Sequence, residues 1–243
     1  MAEFKFPTET VDLPSKGLVY PKDHPLSSGK VEIKYMTAKE EDILTNQSYI
    51  NKGTVLDKLL QSVIVDKINV DDLVVGDKNA VFVATRILGY GKNYEFTVNN
   101  QRQSIDLTEI DNKEFDPKTL IEPNKNEFAF TLPNSEIKIT YKILDGKDEK
   151  KIAREIKGLK KVNKEASPEL STRLKYMILS VDGKDESKDI REFVDNYLLA
   201  IDSRAFRDHI KATQPDVDLV AQVDSGEEVR VPIGLNFFWP DAG

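Results

Sequence analysis

The sequence predicts an α+β protein in which β-hairpins accompany two helical blocks. Paired segments of alternating apolar and polar residues, within 93–107 and 127–141, predict antiparallel hairpins. Two longer stretches, 36–92 and 146–213, repeat apolar residues at three- and four-residue spacing, which is typical of helices packed on a core. A last hairpin is predicted within 217–232. The β-segments therefore bracket the helical blocks.

These elements divide the chain into five segments. They are an extended N-terminal arm (1–35), the first helical block (36–92), β-hairpins (93–145), the second helical block (146–213), and a C-terminal β-hairpin with an aromatic tail (214–243).

The N-terminal arm is punctuated by prolines, which favour extended backbone and turns. Gly17 is expected to take a positive φ in the turn that follows Pro14. Two interpretations stay open: the arm packs on its own domain, or it adds itself to a neighbouring subunit. In the second case the contact residues are Pro14, Gly17, Leu18 and Tyr20.

The first helical block has clear starts and stops. Residues 37–40, Thr-Ala-Lys-Glu, form a capping-box pattern at a helix start. Further helices are predicted from residue 54 to about 65 and over 78–88, with a break at Gly76-Asp77 and stops at Gly89 and Gly91. We expect a compact helical nucleus.

The second helical block opens with a lysine-rich stretch, 147–164. Acidic residues alternate with its lysines, which favours a solvated amphipathic helix over a phosphate-binding face. A helix from 168 to 181 should end at Asp182-Gly183, and another should cover 187–211. Asp202-Ser203-Arg204 is a candidate break in the latter. Its inward-facing residues are predicted to be Ile190, Phe193, Val194, Tyr197, Leu198 and Ile201.

Composition and charge exclude several classes of function. The chain has no cysteine, so disulfides, thiolate metal sites and cysteine nucleophiles are excluded. A net charge of −7 argues against a nucleic-acid partner. No apolar run is long enough to span a membrane, and the first ten residues lack a signal-peptide pattern. We expect a soluble, cytosolic chain.

Motifs for catalysis and cofactor binding are missing from the sequence. It contains neither a P-loop nor a G-x-G-x-x-G loop, and neither a G-x-S-x-G elbow nor an H-E-x-x-H helix. His209 is interpreted as a surface or helix-end residue. We therefore predict no catalytic, metal or cofactor-binding residues and no enzymatic activity, and a site built only from acidic residues is the alternative.

The C-terminal tail joins three aromatic residues to a proline: Phe237, Phe238, Trp239 and Pro240. Left exposed, they would form an apolar patch. Two interpretations are open, because aromatic residues serve equally as an anchor in the chain's own core and as hot spots for a partner.

Taken together, five stretches resemble one known family. They are Leu13-Pro-Ser-Lys-Gly-Leu-Val-Tyr20, Met36-Thr-Ala-Lys-Glu-Glu-Asp-Ile-Leu44, Asp72-Leu-Val-Val-Gly-Asp77, Arg86-Ile-Leu-Gly-Tyr-Gly91 and Phe237-Phe-Trp-Pro240. The combination resembles the baseplate hub assembly family of T-even-type bacteriophages with contractile tails, which also occurs in related injection systems. The resemblance covers nearly the whole chain.

The resemblance implies a non-enzymatic protein of contractile-tail morphogenesis that acts by protein–protein contacts. It implies assembly in the host cytoplasm with other baseplate hub proteins as partners, and no membrane or nucleic acid. An assembly factor or chaperone and a permanent component of the virion hub both fit, and self-association is left open.

The family comparison also implies a zinc-ribbon-like pair of hairpins. Many members carry Cys-x-x-Cys where this chain has Val98-Asn-Asn-Gln101 and Val223-Asp-Ser-Gly226, so no metal ligand remains in either turn. We expect a metal-free, degenerate version in which residues 94–107 and 217–232 are neighbours in space.

Overall fold

The computed structural model of the chain describes residues 7–98, 101–163, 165, 167–222 and 228–238. Helices and small antiparallel sheets form a mixed α+β fold, as the sequence predicts. The helices are α1 (Ala38–Thr45), α2 (Gln47–Asn51), α3 (Val55–Val63), α4 (Val75–Tyr90), α5 (Gly146–Val162), α6 (Glu169–Met177), α7 (Ser187–Asn196) and α8 (Ala200–Thr213). The strands are β1 (Thr8–Asp12), β2 (Lys30–Lys34), β3 (Asn93–Val98), β4 (Gln101–Asp106), β5 (Phe128–Thr131), β6 (Lys138–Tyr141), β7 (Ile178–Val181), β8 (Val220–Gln222) and β9 (Glu228–Arg230).

Residues 8–34 of the N-terminal segment pack on the core of their own chain. Strand β1 pairs antiparallel with β2, with Val11 opposite Val31. The loop between the strands buries Leu13 and Tyr20. Removing these apolar side chains from water stabilises the fold, which explains why the segment packs on its own chain.

Glu40 connects three elements of the first helical block. Its carboxylate accepts hydrogen bonds from the backbone N–H and the hydroxyl of Thr37, at 2.8 and 2.7 Å, as expected for the cap of α1. It also accepts from Ser62 on α3 and forms an ion pair with Lys34 on β2. Burial raises the pKa of Glu40, but these hydrogen bonds outweigh it and lower the pKa to about 2.

Helix α4 begins earlier than predicted, because Gly76 and Asp77 form its first turn and do not interrupt it. Gly76 allows the backbone of Pro215 to lie directly against the helix: a Cβ atom there would be 1.9 Å from the Pro215 carbonyl oxygen. The helix continues through Gly89, the first predicted stop, and ends at Tyr90. The second predicted stop, Gly91, is confirmed, since it follows the last helical residue with φ +84°.

The predicted hairpins β3–β4 and β5–β6 are confirmed. A third strand, β7, pairs with β6, although Ile178 and Val181 were predicted to continue the preceding helix. Helix α6 ends at Met177. The free edge of β6 offers backbone partners to residues 178–181, and this long-range pairing overrides the local helical periodicity.

The second helical block breaks at a different place from the predicted one. The chain leaves α7 at Tyr197 and begins α8 after Leu199, whereas Asp202 lies in the first turn of α8. The Asp202 carboxylate accepts the backbone N–H groups of Asn134 and Ser135 at 2.8 and 3.0 Å, which fixes α8 against the β5–β6 turn.

The two helical blocks join at a tight junction. The N–H of Gly146, at the start of α5, donates to the carbonyl of Leu73, and the N–H of Val75 donates to the carbonyl of Leu144, both at 3.3 Å. A Cβ atom on Gly146 would lie 2.9 Å from the Cα atom of Asp71. The predicted boundary between residues 145 and 146 is therefore a packed contact.

The hairpins β3–β4 and β8–β9 form separate sheets in the part of the chain that the structure describes. They approach each other at their bases, where Leu107 and Val217 line one groove. There the backbone N–H of Asp218 donates to the carbonyl oxygen of Asp111 at 2.7 Å. The turn residues 99–100 and 223–226 lie outside the described residues.

Candidate partner-binding site

The loop that carries the first four candidate contact residues is largely buried. Pro14, Gly17 and Tyr20 are buried, and Leu18 is half-buried. Gly17 has φ +76°, as predicted, and a Cβ atom there would lie 2.4 Å from the Ser27 carbonyl oxygen. The loop is thus folded tightly back on its own turn and offers little side-chain surface.

This loop is fixed to α4 by Asp77. Ser15 donates its backbone N–H to Asp77 Oδ1 at 2.9 Å and its hydroxyl to Oδ2 at 2.6 Å. The hydroxyl of Tyr20 donates to Asp77 Oδ2 at 2.6 Å and accepts the N–H of Val74 at 3.1 Å. All four residues are buried, so this network is shielded from water.

The pKa values in this network are shifted because the Asp77 carboxylate is buried and its hydrogen-bond donors are neutral groups. Burial raises the pKa of Asp77, and the hydrogen bonds from Ser15 and Tyr20 only partly oppose this. Burial and the nearby Asp77 charge raise the pKa of the Tyr20 phenol far above its usual range. The network therefore holds the tyrosine as a neutral donor.

The first two residues of the aromatic tail are also buried. Phe237 and Phe238 end a short 3₁₀ turn and are fully inaccessible to solvent. Phe237 packs edge-to-face on Tyr94 at 4.9 Å, and Phe238 packs on Phe82 of α4 at 6.0 Å between ring centroids. In this structure the two side chains act as an intramolecular anchor, and Trp239 and Pro240 lie outside the described residues.

Arg86 holds this anchor in place. Its Nε–H donates to the Phe237 carbonyl at 2.9 Å, and its terminal nitrogens donate to the carbonyls of Gly91 and Asn93 at 3.0 and 3.4 Å. The guanidinium also lies 5.2 Å from the centre of the Tyr90 ring.

Helix α4 is thus shared by both candidate segments. The loop binds its first turn through Asp77, and the tail binds further along through Phe82 and Arg86. Motif matching singled out both segments but missed their common partner. Asp77 was interpreted as a helix break, although an acidic residue in a first helical turn is a recognised start signal.

An exposed apolar surface lies elsewhere, at the junction of α7 and α8. Tyr197, Leu199 and Ile201 are 62%, 46% and 61% exposed, although Tyr197 and Ile201 were predicted to face inward. The chain turns between the helices, so that Leu198 packs towards the core. Residues 197–201 are continuously apolar, and such a run exceeds what one helical face can bury.

The two histidines have structural neighbours. His209 stacks on Phe130 with 4.2 Å between ring centroids, and burial lowers its pKa. His24 Nε2 lies 3.2 Å from Asp72 Oδ2. Across the described residues, no group of three or more acidic or histidine side chains is arranged to hold a metal ion.

No family model, curated protein or solved structure matches this chain. Among the described helices, none has the length and apolar character needed to cross a bilayer.

Proposed function

We propose that this chain is a non-enzymatic assembly protein of a contractile-tail baseplate hub. It acts in the host cytoplasm, by contacts with other hub proteins. The proposal starts from the sequence resemblance, which implies a role in tail morphogenesis without chemistry.

The observation that carries the proposal is the meeting of the resembling stretches at α4. The Leu13–Tyr20 stretch bonds to Asp77, and Arg86 bonds to Phe237. The bonded residues are far apart along the chain: 62 positions for Ser15 and Asp77, 57 for Tyr20 and Asp77, and 151 for Arg86 and Phe237. Residues that jointly determine one fold are expected to meet in this way, which supports treating the stretches as one pattern.

Protein–protein contact also accords with the exposed α7–α8 junction. Aromatic and apolar residues dominate the energetics of interfaces, and exposed apolar clusters mark interaction sites on soluble proteins. We place one contact at Tyr197, Leu199 and Ile201. Trp239 and Pro240 remain predicted contact residues.

The test is recovery of hub proteins from phage-infected cells with the tagged chain as bait. We expect the wild type to recover baseplate hub proteins, and Tyr197→Ser with Ile201→Ser to recover at least about tenfold less. Val162→Ser is the matched control, because Val162 is 90% exposed but lies at the end of α5. Recovery of no hub protein by the wild type would refute the proposed function.

Mass spectrometry of finished phage particles distinguishes a permanent hub component from a transient assembly factor. A defined copy number in the particle indicates a permanent hub component. Presence only in lysates, bound to hub precursors, indicates an assembly factor that leaves.

A further inference from the structure

A second surface is an apolar groove between α6 and α8. Helix α6 contributes Leu170, Arg173, Leu174 and Met177, which are spaced as one helical face. Helix α8 contributes Arg207 and Ile210, and the groove continues to Gln214. Its remaining lining comes from Val75, Ile143 and Leu144.

The groove has an apolar floor and an exposed edge. Leu174, Ile143 and Leu144 are buried, whereas Leu170 at the edge is 45% exposed. The free volume is about 240 Å³. That is below the roughly 300–1,000 Å³ of typical small-molecule and cofactor sites. A groove of this size suits one or two apolar side chains of a peptide.

Two arginines, Arg173 and Arg207, line the groove in a chain whose net charge is −7. Arg173 is paired with Glu149 on α5. Arg207 donates its Nε–H to the Ser203 carbonyl, and neither Arg207 nor Lys211, one turn further on, forms an ion pair with any residue the structure describes. The terminal nitrogens of Arg207 are thus available to a carboxylate, which arginine binds in a two-pronged geometry.

We propose that this groove binds an acidic amphipathic segment of a partner protein. One or two apolar side chains enter beside Leu170, and a neighbouring aspartate or glutamate pairs with Arg207. The partner is defined by this chemistry alone, so the inference goes beyond the proposed hub function and does not depend on it.

The test titrates the isotope-labelled full chain with two synthetic peptides and follows backbone amide NMR signals. One peptide is an amphipathic helix with a leucine face and a polar face of glutamate and glutamine. The other has lysine in place of every glutamate. We expect the acidic peptide to shift signals of α6 and α8 around Leu170 and Arg207, and to bind at least about tenfold more tightly than the basic one.

Variants locate the site. Arg207→Glu should weaken binding of the acidic peptide about tenfold, and Leu170→Asp should abolish it. Arg204→Glu makes the same charge change on α8 outside the groove, at a side chain that is 80% exposed, and should weaken binding less than Arg207→Glu does. Circular dichroism confirms that each variant is folded.

Equal affinity for the two peptides, or signal shifts confined to other surfaces, would overturn the proposal. So would unchanged binding by a folded Arg207→Glu variant. The experiment contains no phage protein, so its failure leaves the hub proposal standing, and failure of the hub proposal leaves the groove standing.

Discussion

Arg86 and Phe237 are 151 positions apart in the sequence, yet the Arg86 Nε–H lies 2.9 Å from the Phe237 carbonyl oxygen inside the core. The contact joins the C-terminal half of α4 to the tail of the chain. A single side chain thereby satisfies carbonyl groups from the tail, from the end of α4 and from β3.

We expect Arg86→Lys to lower the free energy of unfolding by about 2–3 kcal/mol. An ammonium group cannot reproduce the planar fork of donors, so buried carbonyls lose their partners. Urea unfolding measures the change. The control is Arg102→Lys, at a side chain that is 75% exposed, which should change stability by less than about 0.5 kcal/mol. Equal effects of the two substitutions would contradict this role of Arg86.

Gly76 should tolerate no side chain. Gly76→Ala places a Cβ atom against the Pro215 carbonyl and is expected to cost about 3 kcal/mol, despite the higher helix propensity of alanine. Gly158→Ala, in α5, is the matched control, because nothing lies within 4 Å of its added Cβ. That variant should gain up to about 1 kcal/mol. A stable Gly76→Ala protein would show that Pro215 can move away from α4.

The raised pKa of Asp77 gives a pH dependence of defined sign. Above its ordinary pKa of 3.8 the unfolded chain loses the proton first, while folded Asp77 keeps it until its own higher pKa. Folding therefore binds a proton, and the stability that Asp77 contributes decreases as pH rises through that window. We expect the difference in unfolding free energy between wild type and Asp77→Asn to shrink from pH 4 upward. A difference that grows with pH would contradict the shift.

The stability that Glu40 contributes has the opposite pH dependence. Its folded pKa of about 2 lies below its ordinary 4.5, so the stability it contributes is complete above pH 4.5 and is lost as pH falls towards 2. Replacing it by glutamine should cost about 2 kcal/mol at pH 7 and much less near pH 2, since these are hydrogen bonds to a charged group. Thermal or urea unfolding across this range tests the difference, and a constant cost would argue against the lowered pKa.

The aromatic tail should separate into a core part and a contact part. Phe237→Ala removes a fully buried ring and is expected to cost about 3–5 kcal/mol. Trp239→Ala should instead reduce recovery of hub proteins from infected cells while the urea midpoint stays unchanged. Loss of stability by the Trp239 variant, with binding retained, would assign both residues to the core.

Signals from neighbouring residues in the sequence were sufficient to predict some secondary-structure elements and insufficient to predict others. The cap of α1 and the stop at Gly91 depend on neighbouring residues, so both were predictable. Strand β7 was not, because residues 178–181 have apolar spacing that suits either state and only the β6 edge decides between them. Gly76 also lay beyond local reasoning, since its role depends on Pro215, far along the chain.

The same limit applies to the candidate site. Sequence inspection singled out the Leu13–Tyr20 loop and the Phe237–Phe238 pair as notable, and both segments do occupy special positions. Their apolar character could not tell an external partner from an internal one. The groove between α6 and α8 was not foreseen, because its lining residues come from separate elements whose relative placement is a property of the tertiary fold.

The contacts around α4 also constrain the order of events during synthesis. The helix is translated more than a hundred residues before Pro215 and Phe238, which cover it. The apolar surface of α4 is therefore sealed only after both of these later residues have been translated and have folded back onto it. A nascent chain stalled before Phe237 should be a good client for chaperones that bind exposed apolar helices.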